Sequence, residues 1–151
     1  MAVTPVLEPF FTGWATHGRL LLAAIGDLTE EQLALRPTPG EWSIWQLASH
    51  MAGSRAYWVY DVLGEGDPAV RDMFRVEKTT VPGLSLEDAG WEDDETQPRT
   101  AAEIVEVIPQ RRGNRTTTRG WVLWHLMEHE AHHGGAISLI LGTNGLPVLD
   151  L

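Results

Sequence analysis

Apolar residues recur along three long stretches of the chain at the three- and four-residue spacing of a buried helix face. The first starts at Pro5, a residue suited to a helix start, and continues through Val6, Leu7, Phe10, Trp14, Leu21, Leu22 and Ile25, predicting a helix over Pro5–Asp27. The second opens at the capping box Ser43-Ile44-Trp45-Gln46 and turns Ile44, Leu47, Ala48, Met51, Trp58 and Val62 inward until Gly64, predicting a helix over Ser43–Leu63. The third is capped by a threonine at 117 or 118 and stopped by Gly142, which predicts a helix over Arg119–Leu141. Between the first two, Thr29-Glu30-Glu31-Gln32 is another capping box, opening one short turn before Pro37 and Pro39.

From Gly64 to Arg99 the pattern dissolves into glycine, proline and charge, including the acidic run Glu92-Asp93-Asp94-Glu95, and reads as a solvated loop. Thr100 with Glu103 starts a further helix that Pro109 limits to two or three turns, Thr100–Ile108. No segment shows a convincing strand pattern. The expected fold is all-α: an antiparallel helix bundle with three long members and a shortened third helix in chain order.

A chain of 151 residues, 43% hydrophobic and without internal repeats, suggests one domain over 1–151, and its seven tryptophans predict an aromatic-rich core. Eleven Lys and Arg against 21 Asp and Glu give a formal charge of −10, which opposes nucleic-acid binding by phosphate neutralisation. The absence of cysteine excludes a disulfide framework, a thiolate zinc site and a protein-borne thiol nucleophile. Met1–Phe11 lacks the basic start and apolar run of a signal peptide, and the run Leu20–Ile25 is far too short to span a bilayer, so no membrane partner and a cytoplasmic location are expected.

The chemistry of the sequence lies in its histidines. Four of the six fall within Trp121–Leu141. At about 100° of rotation per residue, Val122, His125, Leu126, His129, His133, Ala136 and Ile140 share one stripe, which sets histidines on the face expected to enter the core. Neutral imidazoles on adjacent turns can bind one metal ion through facing nitrogens. His129 and His133 straddle the middle of the stripe and form the best pair, whereas His125 and His132 lie nearer one edge, as supporting or surface groups. Two ligands do not make a stable site. His50, on the flank of the Ser43–Leu63 helix, is positioned to reach a metal held by that pair, although spacing alone leaves the third ligand open. No motif surrounds His17, which reads as a surface or hydrogen-bonded residue.

The stretch PTPGEWSIWQLASHMAGS around His50, and TRGWVLWHLMEHEAHHGGAISLILGTNGLP around the last helix, resemble the DinB-like superfamily of metal-dependent four-helix-bundle proteins, whose members include bacillithiol transferases and mycothiol-dependent maleylpyruvate isomerase. The resemblance covers most of the chain. It implies one histidine on the second helix and a His-x3-His pair on the fourth holding a divalent metal, which by position are His50, His129 and His133. Many relatives follow the last ligand with Arg-Gly-Gln; this chain has Gly134-Gly135-Ala136, so a polar supporting group is missing there.

The resemblance implies an enzyme in which zinc or nickel on three histidines keeps an open position for water or a low-molecular-weight thiol such as mycothiol or bacillithiol, giving hydrolase or S-transferase and isomerase chemistry on a small-molecule substrate. A homodimer is an open expectation. An alternative is a non-catalytic metal-binding stress-response or interaction module. A third reading comes from His129-Glu130-Ala131-His132-His133, which matches the H-E-x-x-H zinc-protease signature with Glu130 as general base. Against it, no His or Glu follows His133, and Glu130 lies about 100° from His129 on the helix, where it reads as a surface charge.

Overall fold

The computed structural model of the chain describes residues 7–67, 69, 107–109 and 116–150. Helix α1 spans Glu8–Ile25, a single turn α2 spans Glu30–Leu33, α3 spans Ile44–Ala56 and continues as a π-helical segment through Tyr57–Leu63, and α4 spans Arg119–Thr143. The expected start at Pro5, most of the 64–99 loop and the 100–106 part of the predicted short helix lie outside the described residues. Among the described residues, no helix is long and apolar enough to cross a membrane.

The helix boundaries follow from local chemistry. Thr29 and Ser43 each close a reciprocal capping box with the glutamine three residues on, and Thr118 accepts a hydrogen bond from the Trp121 N–H at 3.1 Å. Gly64 ends the π-helical segment in the left-handed conformation at φ 75°, which favours glycine. One expectation needs correction: Val107–Pro109 pairs antiparallel with Thr116–Thr118, so the predicted helix does not run through Val107 and Ile108. Five of these six residues, Val107, Ile108, Thr116, Thr117 and Thr118, are β-branched and favour extended backbone. In a ladder of only two strands each strand is an edge, where a proline is tolerated.

The core has two apolar clusters. One joins Leu21 and Ile25 of α1, Ile44 to Ala52 of α3, and Ile137, Ile140 and Leu141 of α4. The other joins Phe11 and Trp14 of α1, Ala56 with Val59, Tyr60 and Val62 beyond α3, and Val122, Leu123 and Leu126 of α4. The same clusters fix the helix directions: α3 runs antiparallel to both α1 and α4, which run parallel to each other. The end of α3 and the start of α4 therefore meet at one end of the bundle, where Arg119 pairs with Glu65.

Three burial expectations shift. On α1 it is Phe11 that is buried, while Phe10 stays exposed. Past Ala56 the wider π turn advances the buried face, so Val59, Tyr60 and Val62 enter the core and Trp58 is only half-buried. The core is also mostly aliphatic: among the described tryptophans only Trp14 is buried, whereas Trp42, Trp45, Trp121 and Trp124 are exposed.

Candidate metal centre

Between the two apolar clusters the bundle carries a polar band. On α4 it occupies the interval from Leu126 to Ile137, and it takes in His17 of α1 and His50, Ser54 and Arg55 of α3. The deepest line of α4 runs through Leu126, Glu130 and Ile137. His129 and His133 lie roughly 60° round the helix from its centre. They are thus half-buried on the border facing α3 rather than in the core itself.

That border brings together the three histidines that the sequence reading combined. One nitrogen each from His50, His129 and His133 can be chosen so that all lie within 4.8 Å of one another. His129 Nε2 is 3.0 Å from His50 Nε2 and 3.5 Å from Ser54 Oγ. The His129 and His133 rings are 4.5 Å apart between centroids, the distance set by one helical turn, and His50 closes the triangle at 4.8 and 5.0 Å. Trp42, on the loop before α3, places its indole 4.8 Å from His50 and 6.3 Å from His133.

The electrostatics favour neutral imidazoles. Burial pushes the His129 pKa down to about 4, helped by the neighbouring His133, His50, His125 and His132. Burial lowers His50 as well, and lowers His133 together with His50 and His132, against an opposing pull from Glu128. Each ring thus keeps a lone pair available at neutral pH, as a divalent cation requires. Among the described residues, none accepts a hydrogen bond from the buried His129 Nδ1. Metal-binding histidines usually donate that second N–H to an acceptor; here the ring is oriented by packing and through Nε2, beside His50 and Ser54, and the donor set fits a divalent ion.

The remaining histidines are separate from the triad. His132 is exposed, with its ring against His133. His125 stacks on Trp121 and approaches Glu128 at 3.3 Å. His17 faces the opposite side of the band: a Cβ on Gly134 would come within 2.9 Å of its Nε2, so this ring occupies space that only a glycine leaves open. Burial lowers the His17 pKa, with Glu130 opposing and Arg55 adding to the shift. A cavity of about 560 Å³ there is lined by His17, Gly134, Gly135, Ser138 and Leu149 and is largely apolar.

Glu130 corrects the sequence reading. It is 1% exposed and accepts hydrogen bonds from Arg55 Nε at 3.0 Å, from Arg55 Nη2, and from Trp14 Nε1 at 2.7 Å. A carboxylate committed to a buried guanidinium and an indole cannot serve as the free base that the protease signature requires. Sequence reasoning passed over Arg55 and Trp42 and read Trp14 only as part of an apolar stripe. Arg55 left a signal, since it stands in phase with Leu47, Ala48, Met51 and Val59, and a charge on a buried phase calls for an opposite one.

Comparison with known proteins agrees with the helical fold. A solved structure of a DinB-like protein from Bacillus cereus superposes with a TM-score of 0.61 at 20% identity, over 96% of this chain and 97% of the other. No curated protein matches the chain. The profile of the DinB superfamily matches residues 14–137, a span that contains His50, His129 and His133. The chain belongs to the DinB superfamily.

Proposed function

We propose that this protein is a metal-dependent enzyme whose divalent ion, zinc or nickel, is held by His50, His129 and His133. The observation that carries the reading is the convergence of three neutral-tending imidazoles from two helices within 4.8 Å, next to solvent. A divalent ion on three imidazoles keeps an open position, where it lowers the pKa of water or of a low-molecular-weight thiol and yields a nucleophile near neutral pH.

The chain's own residues define what surrounds that position. Trp42 lies against one flank of the triad, its ring beside His50 and His133. The Ser54 hydroxyl lies beside His129 and can donate to or accept from a bound donor atom. The chain has no cysteine, so thiol chemistry requires a thiol co-substrate, and mycothiol or bacillithiol is the class that the family resemblance suggests. S-transfer or isomerisation on a small molecule is the favoured reaction, with hydrolysis next.

Cobalt(II) substitution tests this reading. Adding a low-molecular-weight thiol to the cobalt-loaded protein should produce a sulfur-to-metal charge-transfer band whose appearance reports a thiol pKa below its free value. A cobalt-loaded protein whose spectrum ignores both thiol and pH would contradict it. Such a result would favour the second reading, a non-catalytic metal-binding or interaction module.

A further inference from the structure

Every second aromatic clue leads away from the core and toward the triad. Trp121, His125, His129 and His133 follow one another at four-residue steps on α4, so their rings form a single row along the helix surface. Trp121 stacks on His125 at 4.9 Å with an interplanar angle of 16°, and His125 lies 5.7 Å from the His129 ring. Trp58 from the π-helical segment closes against both, 5.2 Å from Trp121 and 5.2 Å from His125. The π turn has a visible role here, since it withdraws Trp58 from the core phase and sets it beside α4.

The row is open at Trp121, which is 42% exposed although a tryptophan ordinarily stays mostly buried, while Trp58 and His125 are half-buried. Partly exposed apolar rings grouped in this way mark a candidate binding surface. What they bind is constrained by continuity with the triad: the row ends, ring against ring, on a proposed metal ligand. The eight residue steps from Trp121 to His129 span about 12 Å of helix, the length of a two-ring molecule with a short arm. The row itself carries no lysine or arginine, which disfavours a strongly anionic occupant.

We propose that the row Trp121–His125, with Trp58, is a substrate subsite for a neutral, planar aromatic or conjugated group, carried by a molecule whose donor atom reaches the metal held by His129. The inference rests on the metal-dependent reading and adds a substrate class to it. Flat π-systems gain from offset stacking and edge-to-face contact beyond the area they bury, whereas a saturated ring of the same carbon skeleton gains only the burial.

The test uses the whole protein loaded with zinc and two calorimetric titrations, with naphthalen-2-ylmethanethiol and with its fully saturated decalin counterpart. The arylmethyl thiol is the more acidic of the two, so each affinity is referred to the thiolate present at the titration pH before the two are compared. The naphthyl compound should bind about threefold to tenfold more tightly, the range expected from aromatic contacts. Trp121→Leu and Trp58→Leu should abolish that preference, while Trp45→Leu, at an exposed position outside the row, should leave it intact. Equal affinities in the starting protein, or a preference that survives both substitutions, would overturn the proposal. Naphthalen-2-ylmethanol, which lacks the thiol, separates the two readings: its weaker binding should still depend on Trp121 if the row is a subsite and only the metal reading fails. Sedimentation settles the competing occupant, because a dimer that is lost in Trp121→Leu and excludes naphthalen-2-ylmethanol would assign the row to a second copy of the chain and overturn the subsite.

Discussion

Arg55 of α3 and Glu130 of α4 form an ion pair with side chains only 3% and 1% exposed, directly beside the residues that carry the histidine triad. Glu130 adjoins His129 in sequence, and Arg55 adjoins Ser54, whose hydroxyl approaches His129. Trp14 adds α1 to the same carboxylate. Three helices are thereby tied together at the level of the site. A buried pair of this kind gives little net stability but sets register, because any slip strands a charge in the core.

Removing one partner should therefore be far worse than removing both. Glu130→Ala is expected to destabilise the fold by about 3–5 kcal/mol, because the buried Arg55 loses the carboxylate that both its Nε and its Nη2 contact. The double substitution Arg55→Met with Glu130→Leu should recover much of that loss, short of about 1–3 kcal/mol for the Trp14 N–H left unpaired. Denaturant titration of the three proteins measures both quantities. Equal stability of the single and double variants would show that the pair does not set register.

Gly134 and His17 make a second coupled pair. Alanine in a helix is favoured over glycine by about 1 kcal/mol, but here its Cβ would sit 2.9 Å from His17 Nε2. Gly134→Ala should be neutral or destabilising in the starting protein and stabilising by about 1 kcal/mol in a His17→Ala background. Thermal denaturation across the double-mutant cycle reads the sign. A stabilising Gly134→Ala in both backgrounds would mean that His17 moves aside freely.

Acid should weaken the metal-free fold. The unfolded chain takes up a proton at each histidine near pH 6.5, whereas the folded chain holds His129 neutral to about pH 4, with His50 and His133 shifted the same way. Between those values the unfolded state binds more protons, so stability rises with pH and falls as the solution is acidified through that window. Substituting His129 by alanine should flatten the dependence. A stability that is level from pH 6.5 to 4 would contradict the neutral-imidazole description.

Among the described residues nothing accepts from His129 Nδ1, and this has a measurable effect. Losing the acceptor behind a metal-binding histidine typically weakens binding about 10–100-fold, so zinc should exchange readily with a chelator. An ion that survives prolonged chelation would show that His129 Nδ1 does find an acceptor.

The long helices, their N-caps at Ser43 and Thr118 and the His129/His133 pair were legible because each depends on local periodicity or on chemistry carried by one residue type. His50 joined the pair only through the family resemblance, and the last helix runs past the expected stop at Gly142 to Thr143. Ser43, Thr118 and Gly64 act where the sequence places them. The strand pair was not legible, since Val107–Pro109 and Thr116–Thr118 acquire meaning only once the two segments meet. Phe11 in place of Phe10, and Val59 in place of Trp58, reflect a phase that a hydrophobic stripe constrains only to within a residue or a π turn. Glu130 was misread because a charge one residue from a histidine looks solvent-facing until Arg55 is seen opposite it.

The metal-dependent account turns on who holds the ion. Protein purified without an affinity tag, reconstituted with zinc and freed of excess, should carry about one equivalent per chain, and His50→Ala, His129→Ala and His133→Ala should each lose most of it. His125→Ala and His17→Ala should retain full occupancy, and His132→Ala should lose less than the three ligand variants. The decisive comparison is His50→Ala against His125→Ala: an empty His50 variant beside a full His125 variant is the predicted result. The reverse pattern would place the ion within α4 and its surroundings and contradict the three-histidine centre.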